Sequence, residues 1–106
     1  MAIEVYWLEF ATDKLDDIYN YYREKAGKRI AQKLINSIID TTVNLGKQPK
    51  TGQIELSLSA REQYFSYLIF KNYKIVYWIN HAFERIEIVH VFDTRQNPEK
   101  TEETKI

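Results

Sequence analysis

Three basic residues in the C-terminal half of the chain are the best candidates for chemistry. Lys71, Lys74 and Arg95 lie near the ends of three predicted strands that are joined by tight turns. Turns near 72 and 81–82 pair position 74 with about 70 and about 89–90, which gathers the three residues at one end of the meander. Such a cluster could bind a phosphate or stabilise a developing negative charge. The alternative is a turn lysine, an exposed strand lysine and an ion-paired arginine.

Two histidines and an aspartate bear on that cluster. His90 is predicted to share a strand face with Ile86, Ile88 and Phe92, and a lone histidine among apolar neighbours is usually a core residue. If His90 were exposed, it could act as a general base near neutral pH. His81 falls in a turn and is expected to be solvated. Asp93 stands two residues before Arg95, where it could orient that arginine or cap the strand end.

Aromatic residues indicate where a protein partner could bind. Tyr21 lies off the apolar stripe of the first predicted helix, and tyrosine is enriched at protein interfaces. The meander is rich in aromatics, among them Tyr64, Tyr67, Tyr77 and Trp78. Those that the helices leave uncovered would form an apolar patch typical of a partner surface. Tyr21, Tyr67 and Trp78 are therefore the candidate partner-binding residues.

The hydrophobic periodicity predicts the elements that must position these residues. They are a strand at about 2–8, helices at about 12–26 and from Ile30 to before Gly46, an edge strand at 54–58, and strands at 62–71, 73–80 and 84–92. Thr12 is predicted to cap the first helix, and Gly27 to end it. The fold class is therefore α+β, with an N-terminal strand, an antiparallel helical hairpin on one sheet face, and an antiparallel β-meander.

Composition and charge exclude several functional classes. The 106 residues suit one domain, 1–98, followed by a polar tail, 99–106. Fifteen basic and fifteen acidic residues give a net charge of zero, whereas a dedicated nucleic-acid binder usually has a basic excess. No cysteine, two histidines and no glycine-rich nucleotide motif predict no metal and no cofactor. No apolar run approaches the ~20 residues that span a bilayer, so a cytoplasmic protein is expected.

Two segments carry a family resemblance. Residues 72–77 run Asn-Tyr-Lys-Ile-Val-Tyr, and residues 91–98 run Val-Phe-Asp-Thr-Arg-Gln-Asn-Pro. Their order and spacing resemble the Tyr-Arg-Ile-x-Tyr strand and the His-x-Arg-x-x-Pro ending of the RelE/ParE superfamily. The likeness extends over about residues 3–98. It implies a growth-inhibiting, plasmid-stabilising toxin of a bacterial type II toxin–antitoxin system, neutralised by a cognate antitoxin. A homodimer is left open.

The superfamily divides by mechanism, and the residues favour the ParE-like branch. RelE-like members cut mRNA on the ribosome, whereas ParE-like members poison DNA gyrase. Here Lys74 replaces the family's arginine, Asp93 replaces its histidine, and no tyrosine follows Pro98. Arg95 alone matches a catalytic position, so Arg95, Lys74 and Lys71 would be catalytic only in a nuclease. The resemblance implies a toxin that inhibits DNA gyrase. The alternatives are a ribosome-dependent mRNA endoribonuclease and an inactive relative.

Overall fold

The strands form one sheet with a helical hairpin on one side. The computed structural model describes residues 3–49, 52–54 and 65–95. The elements in chain order are β1 (Glu4–Trp7), α1 (Glu9–Ala26), α2 (Lys28–Thr42), a 3₁₀ turn (Val43–Gly46), β2 (Gln53–Ile54), β3 (Ser66–Phe70), β4 (Tyr73–Asn80) and β5 (Arg85–Asp93). The sheet order is β1-β5-β4-β3-β2, with β1 parallel to β5 and all other pairs antiparallel. The predicted α+β architecture is confirmed, whereas the predicted tail and residues 55–58 of the predicted edge strand lie outside the described residues.

The two helices cover one face of the sheet. Gly27 alone separates them, and its φ of 97° reverses the chain in a conformation that suits glycine. Side chains of both helices meet those of β4 and β5 in one core, which includes Leu15, Ile38, Ile75 and Ile88. This side of the sheet is called the covered face. The opposite side, called the far face, carries a smaller cluster of its own: Phe65, Tyr67, Val76, Trp78, Val89 and Phe92.

Two polar contacts fasten the chain segments that flank the helical hairpin. The Gly46 carbonyl accepts a hydrogen bond from the Ile3 N–H at 2.9 Å, and a Cβ at Gly46 would collide with the Ile3 carbonyl oxygen. Position 46 therefore needs glycine. The hydroxyl of the buried Tyr77 donates to the Pro49 carbonyl and accepts from the Gly52 N–H, both at 2.9 Å. Tyr77 thus belongs to the covered face and ties the segment after α2 to the sheet.

Two local predictions in the helices are wrong. Helix α1 begins three residues earlier than predicted, after an extended Leu8 that makes no side-chain cap. The Thr12 N–H already bonds to the Leu8 carbonyl at 3.0 Å, so Thr12 lies inside the helix and does not cap it. The apolar spacing also predicts Ile30 on one buried stripe with Ile38, but Ile30 is 55% exposed because α2 packs through Ile35 and Ile38.

A β-bulge changes the predicted register between β4 and β5. The register shifts next to Val76, so that Lys74 pairs with Phe92 and not with residues 89–90. His90 pairs with Val76 and therefore lies on the far face, whereas Ile88 lies on the covered face. An extra residue in one strand reverses the alternation beyond it, and alternation alone does not indicate where that residue is.

Candidate functional site

A cleft of about 400 Å³ lies between α1 and the outer edge of β5. Strand β1 pairs with β5 only along Arg85 to Ile88, and α1 packs against the strand beyond that point. The cleft is lined by side chains of mixed character, among them Lys14, Tyr21, Tyr22, Tyr73, Asp93 and Arg95. It is called the α1–β5 cleft. Phenols and charged groups together could bind the polar backbone and side chains of a peptide.

Arg95 and Asp93 form a bidentate ion pair in this cleft. The Arg95 Nη2 atom is 2.7 Å from Asp93 Oδ2, and Nε is 3.1 and 3.2 Å from the two carboxylate oxygens. The Arg95 backbone N–H also donates to Oδ1, at 2.8 Å. These bonds lower the pKa of Asp93 to about 2 and raise the pKa of Arg95. Asp93 therefore orients Arg95 and neutralises its charge. This is the ion-paired arginine that the sequence analysis gave as the alternative to a phosphate-binding residue.

Tyr73, beside the ion pair, remains a protonated donor, and Tyr21 and Tyr22 lie next to it in the cleft. Burial raises the pKa of Tyr73, and its hydrogen bond with Tyr22 raises it further. A phenol in this state can donate a hydrogen bond but cannot act as a base near neutral pH. Tyr21 packs edge-to-face on Tyr22 at 5.1 Å between ring centroids and is 57% exposed. The structure thus places the predicted partner-binding residue Tyr21 at the cleft with an accessible ring.

Two of the three predicted basic residues lie outside the cleft that Arg95 lines. Lys74 lies on the far face, with Nζ 4.2 Å from the centroid of the Tyr67 ring. Lys71 occupies the β3–β4 turn at a φ of 52°, with Nζ 5.6 Å from the Phe70 ring. Arg95 lines the α1–β5 cleft, and neither Lys71 nor Lys74 is among the residues that line it. The three residues share one end of the meander, but Arg95 lies in a different environment from Lys71 and Lys74.

Both histidines have the predicted exposure, but His90 shares its strand face with Phe92 and not with Ile86 and Ile88. His90 is fully buried, with its ring centroid 5.0 Å from that of Phe10 and 4.8 Å from that of Phe92. Its prediction as a core residue is confirmed, although it packs on the far face. His81 is exposed in the β4–β5 turn. His90 lines the α1–β5 cleft together with Arg95, but its side chain is fully buried and is not an accessible base, and His81 does not line the cleft.

A second polar cluster on the far face was not predicted. Glu87 is only 4% exposed. Its Oε1 accepts the indole N–H of Trp78 at 2.9 Å, and its Oε2 is 2.8 Å from Arg85 Nη2 and 3.3 Å from Asn80 Nδ2. Trp78, a predicted partner-binding residue, is thus half-buried and fixed by this carboxylate. The register pairs Trp78 with Glu87 and Asn80 with Arg85, so correct strand alignment was the signal that could have revealed the cluster.

Residues 3–49, 52–54 and 65–95 contain neither a candidate metal site nor a candidate membrane span. They contain no group of three histidine, aspartate or glutamate side chains that could hold a metal ion. No helix within them is long and apolar enough to cross a membrane.

A match to a protein-family model shows which family the chain belongs to. The model for the ParE toxin of type II toxin–antitoxin systems, parDE, matches residues 5–98. The chain belongs to the ParE toxin family. The predicted resemblance to the RelE/ParE superfamily, with the ParE-like branch favoured, is thereby confirmed. No curated protein matches this ParE-family toxin.

Two solved structures share the fold of this ParE-family toxin. The chromosomal ParDE toxin–antitoxin system from P. aeruginosa matches with a TM-score of 0.72 and 18% sequence identity, covering 87% of this chain and 96% of that chain. A free E. coli toxin RelE, carrying two arginine-to-alanine substitutions, matches with a TM-score of 0.54 and 15% identity, covering 98% and 95%. At such low identities the likeness concerns the fold alone.

Proposed function

We propose that this toxin stops growth by binding an essential protein target, DNA gyrase, in the cytoplasm, and that a cognate antitoxin neutralises it. Membership of the ParE family supports the toxin role. The similarity to the ParDE toxin–antitoxin system of P. aeruginosa supports an antitoxin partner. The α1–β5 cleft is the surface on which we expect the antitoxin to lay a peptide segment, with Tyr21 as an anchor.

The pairing of Arg95 with Asp93, in a cleft that Lys74 does not line, is the observation that carries the choice of a protein target over RNA. Cleavage by a 2′-hydroxyl needs a base, an acid and charge stabilisation around one phosphate. Lys74 lies over the Tyr67 ring and does not line the cleft that holds Arg95, and Arg95 is already paired with Asp93. His90 is buried among aromatic rings. These positions favour inhibition by binding over a nuclease reaction.

Controlled induction of the full chain tests this function. We expect growth to stop with early loss of plasmid supercoiling and intact mRNA, and we expect the purified toxin to inhibit supercoiling by purified gyrase. Lys74→Ala and Arg95→Ala should each retain the growth arrest. A nuclease would lose about a hundredfold or more in rate when a charge-stabilising group is removed.

Other outcomes lead to the alternatives. Early mRNA cleavage that either substitution abolishes would overturn the proposal and indicate a ribosome-dependent endoribonuclease. The absence of any growth effect, in a host whose gyrase the purified toxin also fails to inhibit, would indicate an inactive relative.

A further inference from the structure

Three planar side chains stack on the far face, beside the β4–β5 turn and the edge strand β1. The guanidinium carbon of Arg85 lies 4.1 Å from the ring centroid of Tyr6 and 5.2 Å from that of Phe83. Tyr6 is 41% exposed and Phe83 is 69% exposed. These residues are called the Tyr6–Arg85–Phe83 stack. Because most of Phe83 remains in contact with solvent, its burial contributes little to folding.

Buried polar residues hold the stack in place. Glu87 accepts hydrogen bonds from Arg85 Nε and Nη2, both at 2.8 Å. Asn80 donates to Glu87 at 3.3 Å and accepts the Phe83 backbone N–H at 3.2 Å. Trp78 donates to the other Glu87 oxygen. The orientation of Arg85 and the backbone of Phe83 are therefore fixed before any partner arrives, which lowers the entropy cost of association.

The residue types of the stack are those of an interface anchor. Tyrosine and arginine are enriched among the few residues that carry most of the binding energy of protein interfaces. An exposed phenylalanine beside them can enter an apolar pocket, while Tyr6 and Arg85 pack around its mouth. The stack also lies on the side of the sheet opposite the helices, away from Arg95. A partner on the stack would therefore leave the α1–β5 cleft accessible.

Charge around the stack indicates the chemistry of the partner. The charge of Arg85 is neutralised by Glu87, while Glu4 and Glu84 remain exposed next to the stack. The rim is therefore negative and repels the phosphates of a nucleic acid. Its complement is a protein surface with an apolar pocket and a basic rim. Proteins that hold DNA carry such basic surfaces.

We infer that the Tyr6–Arg85–Phe83 stack is the docking surface through which this toxin binds its protein target, at an apolar pocket rimmed by basic side chains. The inference rests on the proposed function, in which that target is DNA gyrase. Phe83 is the residue that enters the pocket, and Glu87 is a positioning residue that acts through Arg85.

Four variants of the full chain test the stack. Phe83→Ala and Tyr6→Ala remove one ring each, and Tyr6→Phe keeps the ring. Val43→Ala removes a comparable exposed apolar group, 62% exposed, from the end of α2. Two readouts are measured for each variant. The first is the inducer level that halves the growth rate, compared between cultures with equal amounts of soluble toxin. The second is the inhibition of purified gyrase holoenzyme. Circular dichroism melting confirms that each variant folds.

We expect Phe83→Ala and Tyr6→Ala to weaken both readouts by about tenfold or more, as for interface hot spots. Val43→Ala should remain close to the wild type, and Tyr6→Phe, which keeps the ring, should retain more potency than Tyr6→Ala. Growth arrest by Phe83→Ala at wild-type potency would overturn the inference, as would a wild-type chain without any growth effect.

Two further results separate this inference from the proposed function. Arrest that depends on Phe83 while purified gyrase stays uninhibited would refute gyrase as the target and still support the stack as a docking surface. Binding of a fluorescent single-stranded RNA that is lost in Phe83→Ala would overturn the inference in favour of a nucleic-acid partner.

Discussion

Asp93 determines what Arg95 can do in this toxin. Its carboxylate occupies the bidentate position on the guanidinium that a phosphate would need, and the two charges cancel. An incoming phosphate must displace the carboxylate or accept its repulsion. One acidic residue thus turns an arginine that matches a catalytic position of the superfamily into an oriented donor at the edge of the α1–β5 cleft.

Because of the same ion pair, part of the free energy of unfolding is lost as the pH falls below about 4. The pKa of Asp93 is about 2 in the folded protein, against about 3.9 in an unfolded chain. A depressed pKa stabilises the fold fully above pH 4, and this contribution is lost as the pH falls towards 2. Because the Arg95 side chain is 68% exposed, solvent screening keeps the effect small. Asp93→Asn should therefore show a shallower decrease of the urea midpoint between pH 4 and 2.

The control for this measurement is Asp16→Asn, at an exposed position on α1. It should keep the wild-type slope across the same pH range. If Asp93→Asn and the wild type lost stability in parallel, the ion pair would contribute nothing measurable to folding.

At the scale of elements, one hydroxyl group joins the segment after α2 to the sheet. Tyr77→Phe leaves the Pro49 carbonyl and the Gly52 N–H without the partner that both now use. We expect the free energy of unfolding to fall by about 1–3 kcal/mol, the cost of leaving such groups unsatisfied. Urea denaturation with an unchanged m-value measures it. Tyr6→Phe, at a position 41% exposed, should change stability by less than about 0.5 kcal/mol. Equal stabilities would show that water replaces the Tyr77 hydroxyl.

Most helices and strands could be predicted from local sequence patterns, whereas the wrong predictions concern strand pairing between residues far apart in the sequence. The period of the apolar residues and the turn at Asn72 predict the helices and the meander, because these depend on neighbours in the sequence. The parallel pairing of β1 with β5 joins the two ends of the chain, and no local signal indicates it. The bulge beside Val76 similarly displaced Lys74 and His90 from their predicted partners.

The candidate site was predictable only where its residues are close in sequence. Asp93 and Arg95 stand two positions apart, so their pairing could be considered from spacing alone. The contacts of Glu87 with Trp78 and Asn80 cross two strands, and they depend on a register that the sequence did not define. The stack was missed for the same reason, since Tyr6 and Arg85 lie at opposite ends of the chain.

At the scale of the whole molecule, the net charge is zero, but acidic and basic residues lie on different parts of the surface. The outer side of α1 carries exposed acidic residues, among them Asp13 and Asp16, whereas α2 begins with exposed Lys28 and Arg29. The sum is zero. A neutral molecule gains little from long-range attraction to a polyanion. Its binding energy must come from short-range contacts, for which an aromatic docking surface is suited.

This balance predicts a weak dependence of target binding on salt. Between about 50 and 200 mM salt, the affinity of the toxin for immobilised, purified gyrase should change less than about tenfold, whereas six to ten phosphate contacts would cost about 10³–10⁵. Glu84→Lys, which reverses a charge beside Phe83, should slow association most at low salt, because rim charges act mainly on the association rate. Surface plasmon resonance measures both effects. A loss of a thousandfold over this range, accompanied by weaker binding of Lys74→Ala and Arg95→Ala, would instead show that the toxin contacts phosphates.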